Sequence, residues 1–228
     1  MPSIRLEQVA KIYKNSKRGV SATLQADLTI RQGDFVFITG PQGSGKSTLM
    51  ELIAGELEPD HGKVWLGGAD LWKLSHAESR ELRECMGVVL RDDELRQTEP
   101  IFKNLASSRQ LEYLKNRLFD RRKIEKALSL VGLPGAEDQY PTELTPSERC
   151  RALLAKAIWR SPSILVLDGL AERADDDTVW DMLHLLGALN RQLGTTVVFA
   201  TADGSYTTTM NKRVVTLFEG RITNGAQR

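Results

Sequence analysis

Short apolar runs alternate along this chain with longer stretches whose apolar residues recur every three to four positions. The runs at Gly87–Leu90, Ile164–Leu167 and Thr196–Ala200 suit central parallel strands buried on both faces. The longer stretches predict helices covering those faces, so the whole pattern predicts an α/β fold. Ile4–Val9, Ala22–Ile30 and Lys63–Leu66 read as an N-terminal antiparallel layer, which makes the sheet mixed. Val214–Phe218, followed by Gly220, is expected to close it. Between about 92 and 159 the strand signal vanishes. There Asp120 leads a predicted helix with Ile124, Ala127, Leu128 and Val131 at helical spacing, stopped by Gly132 and Pro134. The expectation is one domain over 1–228 with a helical subdomain inserted at about 92–159.

One segment changes the picture from fold to chemistry. Gly40-Pro41-Gln42-Gly43-Ser44-Gly45-Lys46-Ser47-Thr48 has a glycine, four free positions, then Gly-Lys-Ser, the pattern of a P-loop. It stands between a strand-like run, Asp34–Thr39, and a helix-like run with Leu49, Met50, Leu52 and Ile53 that ends at Gly55. A polyphosphate needs several backbone N–H donors converging on it, which a glycine-rich chain supplies. Lys46 would then sit between the β- and γ-phosphates, Ser47 would offer a hydroxyl to Mg²⁺, and the helix would point its positive end at the anion. Asp168 ends the apolar run Ile164-Leu165-Val166-Leu167. It reads either as a second Mg²⁺ group, direct or through water, or as a cap on the next turn.

Length and 41% apolar content allow one sizeable core. A net charge of +1 gives no reason to expect nucleic acid as a partner. Lys14, Lys17 and Arg18 form a small basic cluster, read as a solvated loop or as a face for anionic lipid. No apolar run approaches the ~18 residues of a membrane span, and the N-terminus has no signal-peptide core. A cytosolic location follows as the expectation. Cys85 and Cys150 lack metal or CxxC spacing and read as buried free thiols.

Several stretches together resemble the ATP-binding subunits of the ABC transporter superfamily, most of all the FtsE-like group with its LolD and MacB-type relatives. They are Ile4 through Tyr13, the P-loop, Gly62-Lys63-Val64-Trp65, Met86-Gly87-Val88-Val89-Leu90, Arg151 through Asp168, and Arg213 through Ile222. The order of helix, strand and aspartate over 144–168 disfavours a P-loop kinase. The resemblance implies ATP and Mg²⁺ as ligands and a dimer of nucleotide-binding domains, homomeric or heteromeric. It also implies a permease-like membrane partner of the FtsX kind, a peripheral place on the inner face of the cell membrane, and a role in cell division or envelope mechanics. It assigns Tyr13 to stack on adenine, against the plainer reading of a strand-end aromatic.

Four positions depart from that family's pattern. Gly169 stands where the family has a water-polarising glutamate, Ala202 where it has a γ-phosphate histidine, and Arg91 where it has a glutamine reaching Mg²⁺ and the lytic water. The signature Leu-Ser-Gly-Gly is replaced by Leu144-Thr145-Pro146-Ser147, followed by Glu148. Thr145 as N-cap, Pro146 at the first helical position and Glu148 form a predicted capping box, with a helix running through Trp159. Losing a positioned general base removes about 10²–10⁴ in rate, so ATP binding with weak or absent hydrolysis is expected and no residue is assigned as catalytic. Glu172 and Asp203 show no clear route to the lytic water. Arg91 reads either as a surface cation beside Asp92 and Asp93 or as a γ-phosphate sensor. Thr145, Ser147 and Asp175 are candidate dimer-interface residues, Asp175 equally a helix-opening acid favoured by the helix dipole.

Overall fold

Phe35, Val36, Phe37 and Ile38 are all buried, and they alternate between two apolar cores, Phe35 and Phe37 in one, Val36 and Ile38 in the other. That is the period of a strand covered on both faces. The structure is a computed structural model and describes residues 4–15, 19–106 and 121–224. In it, β3 (Phe35–Thr39), β8 (Thr196–Ala200), β7 (Ile164–Leu167) and β6 (Met86–Val89) are parallel neighbours in that order. On the other side of β3 lies β9 (Arg213–Phe218), also parallel, which pairs antiparallel with β10 (Arg221–Asn224).

A single parallel pairing, Arg221 with Gln25, joins β10 to β2 (Gly19–Ile30). Beyond it β1 (Ile4–Asn15), β4 (His61–Leu66) and β5 (Ala69–Asp70) complete an antiparallel layer, so the sheet, ten strands among the described residues, is mixed as expected. Two strands sit elsewhere than the sequence suggests. Met86–Val89 is the last strand of the sheet rather than a central one. Its apolar character comes from helices on its faces: a β-carbon at Gly87 would stand 2.2 Å from the Ala157 carbonyl oxygen. Arg213–Phe218 is interior and does not close the sheet, because the chain turns at Glu219 and Gly220, both at positive φ, and adds β10.

The second core holds α1 (Lys46–Ala54) against buried residues of β1, β2 and β4. The first core holds residues of α3 (Ile101–Ala106), α4 (Arg121–Leu130), α5 (Pro146–Ile158) and α6 (Asp176–Leu193). Helix α2 (His76–Glu84) precedes β6, and α7 (Gly204–Met210) follows β8. Between 92 and 159 the described residues contain helices and no strand. Asp120, Lys17 and Arg18 lie outside the described residues. Cys150 is buried, as expected, but Cys85 is exposed, because it caps the C-terminus of α2 where the chain turns into β6. Among the described residues no helix is long and apolar enough to cross a membrane.

Candidate nucleotide-binding site

Because β3, β8, β7 and β6 run parallel side by side, the residues that follow them line one edge of the sheet. In an open α/β sheet this carboxyl edge is where ligands bind. After β3 comes the loop 40–48, after β8 Thr201-Ala202-Asp203, after β7 Asp168 and Gly169, and after β6 Leu90 and Arg91. Backbone hydrogen bonds hold the row together: Thr201 N–H donates to Ile38 O at 3.0 Å and Asp168 N–H to Val89 O at 2.8 Å.

The loop has the geometry its glycines allow. Gly40, Gly43 and Gly45 have φ of 146, 78 and 100. At Gly40 the constraint is steric as well, since a β-carbon there would stand 2.2 Å from the Leu217 carbonyl oxygen on β9. Pro41, Gln42 and Gly43 are exposed at the rim, and Ser44 N–H closes the turn on Pro41 O at 3.2 Å. The turn at Gly220 supports the loop, donating to Ser44 O at 3.0 Å. Helix α1 starts at Lys46 with Gly45 as N-cap and no side-chain cap, which leaves its first N–H groups and positive dipole end to an anion.

Lys46 is 6% exposed, and its Nζ donates to Gly40 O at 2.7 Å and Pro41 O at 3.1 Å. Burial pulls its ammonium pKa down, the charges of Glu172 and then Asp168 push it up, and Arg91 pulls it down again. Four charged side chains therefore share one electrostatic neighbourhood at the mouth of the loop. Asp168 is 2% exposed, and its Oδ2 is buried without a partner; the Ser44 hydroxyl is likewise buried and unpartnered. Such groups are costly unless a ligand completes them. The donor set fits Mg²⁺: a strand-end carboxylate oxygen with nothing bonded to it, and the Ser47 hydroxyl on the first turn of α1. Glu51, further along α1, has its carboxyl pKa raised by burial first and then by Asp92 and Asp168.

Tyr13 comes to the same helix from β1, its hydroxyl 3.1 Å from Thr48 Oγ1 and its ring 39% exposed. Gly169 sits at φ 79, and a β-carbon there would lie 3.0 Å from Arg91 Cα. Ala202 is exposed, and Asp203 beside it is used as the N-cap of α7, accepting from Ser205 N–H at 2.7 Å.

The altered signature forms a second cluster. Thr145 caps α5 and shares a capping box with Glu148, whose Oε2 accepts from Thr145 N–H and Oγ1, both at 2.8 Å. Ser147 Oγ donates to Asp175 Oδ2, and Asp175 in turn caps α6, accepting from Thr178 N–H at 2.8 Å. The Ser147 hydrogen bond first, then Thr178, holds the Asp175 carboxyl down at about 2. None of these bonds reaches the loop 40–48 or Asp168.

The pattern of the ABC transporter family matches residues 24–171, about two thirds of the chain. The chain belongs to the ABC transporter family. It is 35% identical over 226 residues to the cell division ATP-binding protein FtsE of Mycobacterium tuberculosis, covering 99% of this chain and 96% of that protein. It is also 32% identical over 219 residues to the methionine import ATP-binding protein MetN of Geobacillus kaustophilus, covering 96% of this chain and 64% of that protein. A bacterial ABC transporter cassette solved as a dimer superposes with a TM-score of 0.84 at 24% identity, covering 97% of each chain. That likeness concerns the fold, an ABC-type P-loop NTPase with a mixed sheet. Within the family the chain is FtsE-like.

Two residues carry more at this site than the sequence suggests. Glu172 is the leading opposite charge on Lys46, ahead of Asp168. The turn after β7 brings it there, with Arg173 N–H donating to Leu170 O at 3.3 Å, and no local pattern announces such a turn. Tyr206, 3% exposed, donates to Asp176 Oδ1 at 2.8 Å and ties the segment after β8 to the start of α6.

Proposed function

We propose that this chain is the ATP-binding subunit of an FtsE–FtsX-like membrane complex acting in cell division or envelope mechanics, and that it binds Mg·ATP with weak or absent turnover. The observation that carries this reading is the contrast at the end of β7. Asp168 keeps a buried carboxylate oxygen ready for a cation, while the next residue has no side chain and little room for one. Residues 40–48 cradle the phosphates, Lys46 exchanges its two loop carbonyls for phosphate oxygens, Ser47 and Asp168 hold Mg²⁺, and the exposed Tyr13 ring stacks on adenine. Mg²⁺, held there by Ser47 and Asp168, would supply positive charge against the phosphate tail.

Neither Gly169 nor Ala202 carries a group able to accept a proton from water. The FtsE likeness supports a permease-type partner and a peripheral place on the inner face of the membrane. We also read 92–159 as a helical subdomain of a single 1–228 domain, supported by the run of helices there.

A second reading, an asymmetric dimer with a competent ATPase, is favoured by the signature cluster. The Thr145 and Ser147 hydroxyls are already engaged within the chain, so the chain is better equipped to receive a partner's signature than to lend its own. A scaffold with a vestigial site is the third reading, and the test separates all three. Mg·ATP at about 100 times Kd should stabilise the fold by about 2.7 kcal/mol, roughly 5–10 °C in Tm for a chain of this size. Lys46→Ala should abolish the shift, and phosphate release should stay at background. Absence of any shift supports the vestigial site. Turnover by the isolated chain that disappears in Lys46→Ala refutes the weak-hydrolysis reading, and turnover only with a second cassette present identifies the asymmetric dimer.

A further inference from the structure

The departures at 91 and 169 touch each other. Gly169 at φ 79 would place a β-carbon 3.0 Å from Arg91 Cα, 3.3 Å from Arg91 Cγ and 3.5 Å from Arg173 Nη2. A side chain at 169 would therefore have to enter space held by Arg91. The two positions come together because β6 and β7 are paired in register, Val89 opposite Leu167, so the residues just beyond them meet at the sheet edge.

Arg91 itself is exposed and is not tied down by a hydrogen bond or an ion pair among the described residues. Of the carboxylates beside it in sequence, Asp93 is engaged, its Oδ2 accepting from Leu90 N–H at 2.9 Å. The Asp93 carbonyl takes Arg173 Nη1 at 2.7 Å, which fixes the loop that carries Arg91. Meanwhile the charge of Arg91 reaches Lys46 at the P-loop, where it opposes a second cation. Arg91 follows β6, Asp168 follows β7 and Lys46 lies in the loop after β3, so two cations stand along the same sheet edge as the buried, unpartnered Asp168 oxygen.

We propose that Arg91 takes the place of a side chain at position 169 and binds the terminal phosphate of a nucleoside triphosphate, so that the site prefers triphosphate to diphosphate. The inference rests on the ATP-binding reading above. A guanidinium suits the task because it remains charged and can give two parallel hydrogen bonds to phosphate oxygens. Lys46 alone, reaching both β- and γ-phosphates, discriminates less between the two nucleotides.

The test is the affinity of purified wild type, Arg91→Ala and Arg91→Gln for Mg·ATP and Mg·ADP by titration calorimetry. A lost hydrogen bond to a charged group should weaken Mg·ATP by about tenfold or more in both variants, with Mg·ADP changed less than about twofold. Retained Mg·ADP affinity also reports that the variants are folded. Variants that bind both nucleotides as wild type does, or lose both equally, overturn the proposal. A wild type that binds neither nucleotide overturns the ATP-binding reading itself, which the Lys46→Ala comparison detects independently.

Discussion

Gly169 is glycine for two separable reasons, a left-handed backbone and a crowded β-carbon position 3.0 Å from Arg91 Cα. The backbone reason predicts that Gly169→Ala destabilises the chain by roughly 1–2 kcal/mol, measured by urea unfolding. The crowding adds to this in Gly169→Glu, whose side chain would have to enter space held by Arg91. Phosphate release by Gly169→Glu should stay at background; recovery of robust turnover would show that the glutamate position is still open. Groups that act as a unit are also non-additive, and Ala202 would still lack a phosphate contact. At this scale the sequence singled out Lys46, Ser47 and Asp168, and the fold sets Lys46 and Asp168 in one electrostatic neighbourhood. It did not reveal that Arg91 has no ion pair among the described residues or that Glu172 acts on Lys46, since both facts depend on segments that follow different strands.

Helix α5 shows how far local pattern reaches. Its capping box uses Thr145, Pro146 and Glu148 within a single turn, so the sequence alone places the start of the helix correctly. The clamp from Ser147 to Asp175, at the start of α6, joins two helices and has no such local signature. This clamp has a pH signature. The Asp175 carboxyl is held at about 2 in the fold against an ordinary 3.8. A carboxyl lowered by folding contributes stability above its unfolded pKa and loses it as pH falls through the folded one. The stability difference between wild type and Asp175→Asn should therefore be constant above about pH 4 and shrink as pH drops towards about 2. Thermal melts of both proteins across this range check it; a difference independent of pH would mean that folding does not lower the Asp175 carboxyl.

At the scale of the molecule, the sheet separates two apolar cores, and helices rather than neighbouring strands decide what is buried. The thiols report on this. Cys85 at the α2 cap is exposed, whereas Cys150 is buried in the first core, where burial raises its thiol pKa. The thiolate is the reactive form, so native protein should release one equivalent of chromophore rapidly with a disulfide reagent and a second only in denaturant. Two rapid equivalents in native protein would contradict the packing of α5. Function at this scale divides less cleanly. The FtsE and MetN relatives share about a third of their residues with this chain, because both names belong to proteins with the same ATP-binding task.

By itself the sequence determined the α/β class, the antiparallel N-terminal layer, the P-loop, the strand-end Asp168 and the α5 cap. Apart from the layer, where Ile4 pairs with Leu66, each rests on residues close together in the chain, where spacing alone sets which groups meet. Only the tertiary structure decided that Met86–Val89 is an edge strand and Arg213–Phe218 an interior one, since apolar composition records burial and not the number of hydrogen-bonded neighbours. Strand order and register then decided the rest. By seating β6 against β7, they brought Arg91 onto Gly169, and by lining β3, β8, β7 and β6 along one edge they left the Asp168 oxygen buried and unpartnered beside Lys46.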